Sequence, residues 1–440
     1  MQLIYNIIEI EEENMTILIN ALGIVILLAT LYLLSSNKKD VNKKIILKAL
    51  ILQFIVAFVL VKFPLGRMAL QKVSDVVTNI LSYGAQGLTF IFGSLENAGA
   101  PTGFIFGIQV LGNIIFISSL VAALYYLGIV GAVVKVIGGV IGKTLGTSNV
   151  ESFVAVANVF LGQTESPILV SKYLKSMTES EIMLVLISGM GSMSATVLMG
   201  YAGMGIPMEY LLIAGALVPL GSIIVSKLIL PESIKEVATE ENKVVDNNGV
   251  ASLVAAECAV AVDTIEEVSI DNKGDNANLI SAIAQGANDG LQMALGIGAS
   301  LIAIISLVAL VNGILGVVGI SLEQILSYVF APIGFLMGLA KEDIFTAGQL
   351  LGSKLILNEF VAFGQLGKIL NTLDYRTGLM MSISLSGFAN IASMGICISG
   401  ISVFCPDKRD VLARLAFRGM LGGFCVSLLS ALIVGLIIAI

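Results

Sequence analysis

Long apolar blocks separated by short polar ones set the layout of the chain. The blocks are continuous and close to the roughly 20 residues with which an α-helix crosses a bilayer, whereas the strands of a membrane barrel would alternate in polarity. The pattern predicts an all-α membrane protein with about eight transmembrane helices, at residues 16–34, 45–61, 104–127, 182–205, 210–230, 294–315, 379–404 and 412–440. Residues 68–97 mix Gln71, Lys72, Asp75, Asn79 and Gln86 with apolar side chains, as suits a helix lying along the interface. A second polar-faced helix is expected at residues 279–293, and residues 322–339, interrupted by Pro332, stay unassigned.

Two polar interruptions fall between apolar segments too short to span. The first, Asn158-Val159-Phe160-Leu161-Gly162-Gln163-Thr164-Glu165-Ser166-Pro167, separates residues 153–161 from 168–174. The second, Gly352-Ser353-Lys354-Leu355-Ile356-Leu357-Asn358-Glu359-Phe360-Val361-Ala362-Phe363, separates residues 350–357 from 361–370. Each reads as a re-entrant helical hairpin, because irregular backbone is tolerated at membrane depth only where protein or a water-filled cavity covers it. The helix after each hairpin has a small, polar middle, Gly189 to Thr196 in one case and Ser386 to Ser393 in the other.

Charge sets the orientation. Lys38, Lys39, Lys43 and Lys44 after the first span, and Lys408-Arg409 before the last, mark cytoplasmic loops by the positive-inside rule, so the N-terminus faces outward. With 57% hydrophobic residues and 12% charged, the chain carries about half the charge of a soluble domain. The net charge of −7 names no partner, since the acidic excess is concentrated in residues 231–278, read as a solvated cytoplasmic linker with one short amphipathic helix near residues 251–262. There is no basic footprint for nucleic acid. Cys258, Cys397, Cys405 and Cys425 lack metal-ligand spacing, and histidine is absent, so no Ser/His, Cys/His or zinc constellation for an enzyme or cofactor presents itself, and proton chemistry would fall to carboxylates. The first fourteen residues lack the basic start of a signal peptide, and Met15 is an alternative start.

A charged side chain at the bilayer centre costs about 2.5–3.5 kcal/mol on insertion scales, which makes Glu359 a functional candidate by default. It has a counterpart. Glu165 precedes Ser188-Gly189 and Ser192, as Glu359 precedes Ser386-Gly387 and Asn390. With the loops oriented as above, the two halves run in opposite directions, and inverted repeats with broken helices mark secondary transporters. Plainer roles exist for the same residues: an ion pair of Glu359 with Lys354, a helix cap for Glu165, close packing for Ser192, Ser194 and Thr196.

Gly352-x-Lys354 followed by Asn358-Glu359-Phe360-Val361-Ala362-Phe363 resembles the signature of the concentrative nucleoside transporters. Gly162-Gln163-Thr164-Glu165-Ser166-Pro167 and Gly387-Phe388-Ala389-Asn390 to Ser393 resemble two further motifs in the right order, and Leu34-Ser35-Ser36-Asn37 and Gly200-Tyr201-Ala202-Gly203-Met204-Gly205 extend the likeness over nearly all of the chain from Met15. The resemblance implies a homotrimer in the bacterial inner membrane that imports nucleosides with sodium by an elevator-like movement. It implies Gln163, Thr164, Glu165 and Val197 around the nucleobase, Phe388 against it, and Glu359, Asn390 and Ser393 on the ribose. It implies a sodium site at Asn158 and Ser192 with backbone carbonyls of Leu161 and Met193. Its organisation would be an extension (1–14), a scaffold (15–134 and 279–340) and two transport repeats (135–230 and 341–440) joined by the acidic linker.

The chemistry agrees with these roles. A nucleoside is neutral, with hydroxyls that a carboxylate accepts in charge-assisted bonds and a π-face that a ring can cover. Sodium prefers oxygen ligands, and unwound helix ends expose carbonyls. A proton-coupled symporter and a passive channel are the alternatives.

Overall fold

The computed structural model describes residues 2–163, 166–169, 171–232 and 276–440, and every regular element among them is helical. Helices α1 (Gln2–Leu33), α2 (Lys43–Val61) and α3 (Pro64–Phe92) lead to the short α4 (Phe106–Gln109), then α5 (Leu111–Tyr126) and α6 (Ile129–Leu145). The region expected to form the first hairpin holds α7 (Asn149–Leu161), α8 (Ser166–Leu169) and α9 (Ser171–Leu174). It is followed by α10 (Glu179–Gly191), α11 (Ala195–Gly203) and α12 (Met208–Ile229). Beyond the linker come α13 (Leu279–Leu315), α14 (Leu322–Leu336), the second pair of short helices α15 (Ile344–Ile356) and α16 (Glu359–Ile369), then α17 (Tyr375–Leu385), α18 (Ile391–Phe404) and α19 (Arg409–Ala439).

Local sequence explains where the helices start. Ser148 with Glu151 opens α7, and Thr178 with Glu181 opens α10, each as a capping box in which side chain and backbone satisfy one another. Asn358, Asp374 and Asn390 cap α16, α17 and α18 through side-chain oxygens that accept from backbone N–H groups.

Among the described residues seven helices are long and apolar enough to cross a membrane, counting the interrupted run Glu179–Gly203 as one, and they match seven of the eight expected spans. The eighth, residues 379–404, is delivered in two pieces, α17 and α18. The expectation of a continuous helix over residues 182–205 is corrected in the same way, because Ser192 to Ser194 separate α10 from α11. In the other direction, residues 279–293 and 294–315 form one helix of 37 residues. At 1.5 Å per residue α13 is about 55 Å long, well beyond the ~30 Å hydrocarbon layer, so its polar first turns continue the helix past the apolar part. The region around Pro332 is helical as α14. The supposed helix near residues 251–262 lies outside the described residues.

Burial divides the molecule. The α10–α11 run, α12 and α19 are enclosed, with 89%, 89% and 78% of their most apolar stretches buried, and α19 packs against α1, α2, α10, α12, α17 and α18. α13 is the opposite, with 6% of its most apolar stretch buried. Its buried positions are Ala282, Gly286, Gly290 and Ala294, small residues at intervals of four. A Cβ at Gly286 would lie 2.7 Å from the Ser118 carbonyl, and one at Gly290 would lie 2.8 Å from the Ile115 Cα, so α5 and α13 touch backbone to backbone. At one end of the enclosed part, Lys227 of α12 is buried between Glu151 of α7 and Glu232, the latter 3.0 Å away, and it also donates to the Ser180 hydroxyl of α10 at 3.2 Å.

Candidate substrate and cation site

Two interrupted helices meet at their interruptions. α10 unwinds after Gly191 and α17 after Leu385, leaving Ser192–Ser194 and Ser386–Asn390 as extended links to α11 and α18. Gly387 makes the approach possible. Its φ of 91° lies in the region glycine favours, and a Cβ there would sit 2.5 Å from the Gly191 carbonyl oxygen. Beside it the Phe388 N–H donates to the Ser192 carbonyl at 3.2 Å, a backbone bond between the two halves of the chain.

On one side of this junction stands Glu359, the first residue of α16 and 4% exposed. Its Oε2 accepts from Asn390 Nδ2 at 2.7 Å and its Oε1 from the Tyr201 hydroxyl at 3.3 Å. Asn390 does two jobs at once, since its Oδ1 accepts from the Ser393 N–H at 2.9 Å and so caps α18. Tyr201, on α11, is fully buried, stacked on Phe363 at 4.2 Å and tilted against Phe360 at 4.9 Å. The carboxylate thus sits at the positive end of a helix, held by two donors from two other elements. An ionised carboxylate offers about four acceptor positions, so capacity remains for hydroxyl donors on a bound molecule.

On the other side lies the end of α7. Asn158, with none of its surface exposed, accepts from the Ser166 hydroxyl at 2.6 Å and donates to the Val154 carbonyl at 3.1 Å and the Ser188 hydroxyl at 2.8 Å. Ser192 is also fully buried and bonds back to the Gly189 carbonyl at 3.1 Å. The groups gathered here are amide, hydroxyl and carbonyl oxygens, a set that suits a hard monovalent cation. A Cβ on Gly189 would lie 3.1 Å from the Gln163 Cβ, and one on Gly162 would lie 3.9 Å from the Phe388 ring, so the half-buried ring rests beside the end of α7. Gln163 Oε1 accepts from the Cys397 thiol at 3.3 Å.

Profiles of known proteins match along most of the chain. Residues 210–435 match the Na+ dependent nucleoside transporter C-terminus, residues 22–95 its N-terminus, and residues 107–208 a nucleoside recognition (Gate) domain. The chain belongs to the concentrative, Na+-dependent nucleoside transporter family. Nucleoside permease NupC of Helicobacter pylori is 36% identical over 437 residues, covering 96% of this chain and 98% of NupC. Sodium/nucleoside cotransporter 1 of Rattus norvegicus is 32% identical over 394 residues, 84% of this chain and 56% of the rat protein. The solved structure of CNTnw in an inward-facing substrate-bound state matches with a TM-score of 0.84 at 34% identity, covering 96% of this chain and 98% of that one. A CNTnw variant in an outward-facing state matches with a TM-score of 0.85 at 35% identity, covering 96% and 99%.

Of the residues expected to surround substrate in this nucleoside transporter, the structure joins Glu359 to Asn390 and Asn390 to Ser393. Gln163 and Phe388 both flank the first hairpin region, and Val197 is buried on α11. Thr164 and Glu165 lie outside the described residues. Of the residues expected at sodium, Asn158 and Ser192 are buried near Gly189, Leu161 ends α7, and Met193 lies in the break between α10 and α11. The ion pair weighed for Glu359 and Lys354 does not form. All three N–H bonds of Lys354 are used elsewhere, on the Ser384 carbonyl at 2.8 Å, the Ser386 carbonyl at 2.7 Å and the Ser427 hydroxyl at 2.7 Å. Sequence reasoning assigned no role to Tyr201. Its signal was a lone aromatic among the small residues of Gly200-Tyr201-Ala202-Gly203-Met204-Gly205.

Proposed function

We propose that the chain is a multi-pass symporter that imports nucleosides across a bacterial inner membrane, driven by the sodium gradient. The observation that carries this reading is Glu359, a buried carboxylate fixed by Asn390 and Tyr201 beside two crossing helix breaks. Glu359 and Asn390, with Ser393, take the ribose hydroxyls. Phe388 covers the base, whose edge meets Gln163, Thr164, Glu165 and Val197. Sodium travels as a second cargo, held by Asn158, Ser192 and the carbonyls of Leu161 and Met193, and its charge offsets carboxylates that would otherwise be buried with bound substrate.

The two hairpin regions, read as re-entrant, move with the broken helices as the transport part. The remaining helices, among them α5 and α13, form a scaffold through which three copies assemble. Support for alternating access comes from CNTnw, for which inward-facing and outward-facing structures exist. Support for assembly is the exposed apolar face of α13.

Proteoliposomes loaded without sodium test the reading. Radiolabelled uridine is expected to accumulate above its outside concentration when sodium is outside, and to equilibrate only when choline replaces it. Undiminished accumulation in choline driven by an imposed pH gradient would make the coupling ion a proton, and failure to exceed equilibrium under any gradient would make the protein a passive pore.

A further inference from the structure

Lys354 is among the largest fully buried side chains in the molecule, and neither the substrate nor the sodium reading uses it. Its hydrogen bonds suit the charged form. The Ser384 and Ser386 carbonyls can only accept, and the Ser427 hydroxyl spends its own proton on the Phe424 carbonyl at 2.9 Å, so it too accepts from Lys354. Three acceptors around one nitrogen match the three N–H bonds of the ammonium form. The Phe424 ring, its centroid 5.3 Å from the nitrogen, adds a face that attracts a cation.

The position of this ammonium is as telling as its charge. Ser384 and Ser386 flank Leu385, the last residue of α17, so Lys354 lies at the negative end of an interrupted helix. The first half of the chain has the same construction. α7 ends three residues after Asn158 as α15 ends two residues after Lys354, and each faces an interrupted helix, α10 or α17, near its C-terminal end. In the first half the reaching side chain is a neutral amide that leaves oxygens without a fixed cation. In the second it is a lysine that brings one.

We infer that Lys354 is a tethered counter-cation, occupying in the second half the place where the first half takes its travelling ion, and that removing it uncovers a monovalent-cation site formed by the Ser384 and Ser386 carbonyls and the Ser427 hydroxyl. The inference rests on the sodium reading for its comparison with the first half, and on the hydrogen bonds of Lys354 alone for the uncovered site. Lysine makes the second cation permanent, so each nucleoside is accompanied by one dissociable ion.

Uridine binding to purified protein, titrated with NaCl and with KCl at constant ionic strength in choline chloride, tests this. Wild type is expected to show a sodium Hill coefficient of about one, and K354A about two, since each bound ion linked to substrate adds one to the order. K354A should bind uridine at least tenfold more weakly at low salt and recover as NaCl rises, or as KCl rises over a fixed NaCl concentration that fills the first-half site. K354M, which fills the space without charge, should not recover, and K354R should keep a coefficient near one. A folded K354A with unchanged salt dependence, or with weakened binding that no cation restores, overturns the inference. Sodium and uridine fluxes into wild-type proteoliposomes give an independent reading that no variant need fold for: one sodium per uridine is expected, and two overturns it. Wild-type binding indifferent to sodium would defeat the sodium reading instead, while a cation requirement newly acquired by K354A would still uphold the role of the lysine.

Discussion

At the scale of single residues, a buried charge was the most legible feature of the sequence and its partners the least. Glu359 announces itself because carboxylates are costly in an apolar run. Nothing in the local pattern says that its donors come from residues 158 and 31 positions away, Tyr201 and Asn390. Lys354 was equally visible, and its nearest carboxylate in sequence was the natural partner to weigh. The structure sends it to a helix end instead, because three acceptors there satisfy a cation more fully than one shared carboxylate. Two substitutions separate the donors from the acceptor. E359Q is expected to abolish uridine binding, since it replaces charge-assisted bonds with neutral ones and puts a donor toward the ribose. Y201F removes one of the charge-assisted bonds and leaves a carboxylate lone pair unmet, a loss of about 1–2 kcal/mol or roughly 5–30-fold in affinity. Isothermal titration with uridine distinguishes them, and a Y201F protein of unchanged affinity would show that the tyrosine only packs.

At the scale of elements, length and periodicity gave helix existence reliably and continuity poorly. Hydropathy averages over a window, so the few polar residues of Ser192–Ser194 or Ser386–Asn390 vanish inside a long apolar run, although Asn390 as a cap and Gly387 as a turn were there to be read. Conversely, residues 279–293 read as a separate polar-faced helix, yet Gln285 and Asp289 there bond to each other along one face of a helix that runs on without interruption. The contact of α13 with α5 yields a prediction at this scale. G290L places a side chain where the Ile115 Cα lies 2.8 Å from the Cβ position, and overpacking of this kind costs about 1–3 kcal/mol. The apparent melting temperature in detergent should fall clearly, while G313L, at a position with open space around it, should leave it unchanged.

For the whole molecule, the enclosed unit around α10, α12 and α19 and the exposed α13 were not separable from composition, because a helix facing lipid and a helix facing protein are equally apolar. The buried Lys227 cluster went unremarked for a related reason: Glu151, Lys227 and Glu232 look like ordinary loop-flanking charges until folding brings α7 and α12 together. K227M should destabilise the protein by about 3–5 kcal/mol, because it leaves Glu151 buried without its cation. E151M added to it should restore much of that loss, which thermal unfolding of the single and double variants will measure. On the proposed assembly, the protein mass in a mild detergent should be three times the 46.1 kDa of one chain.

The bond from the Phe388 N–H to the Ser192 carbonyl has a consequence for how the molecule computes. Phe388 belongs to the proposed base-binding segment and Ser192 to the proposed ion-binding one, so on that proposal the junction would work as an AND gate, its two inputs joined by one backbone hydrogen bond. Such wiring is reciprocal: whatever factor sodium lends to nucleoside affinity, nucleoside must lend to sodium affinity. A change at Gly387 that spreads the junction should therefore lower both factors together and leave two sites that fill independently of one another.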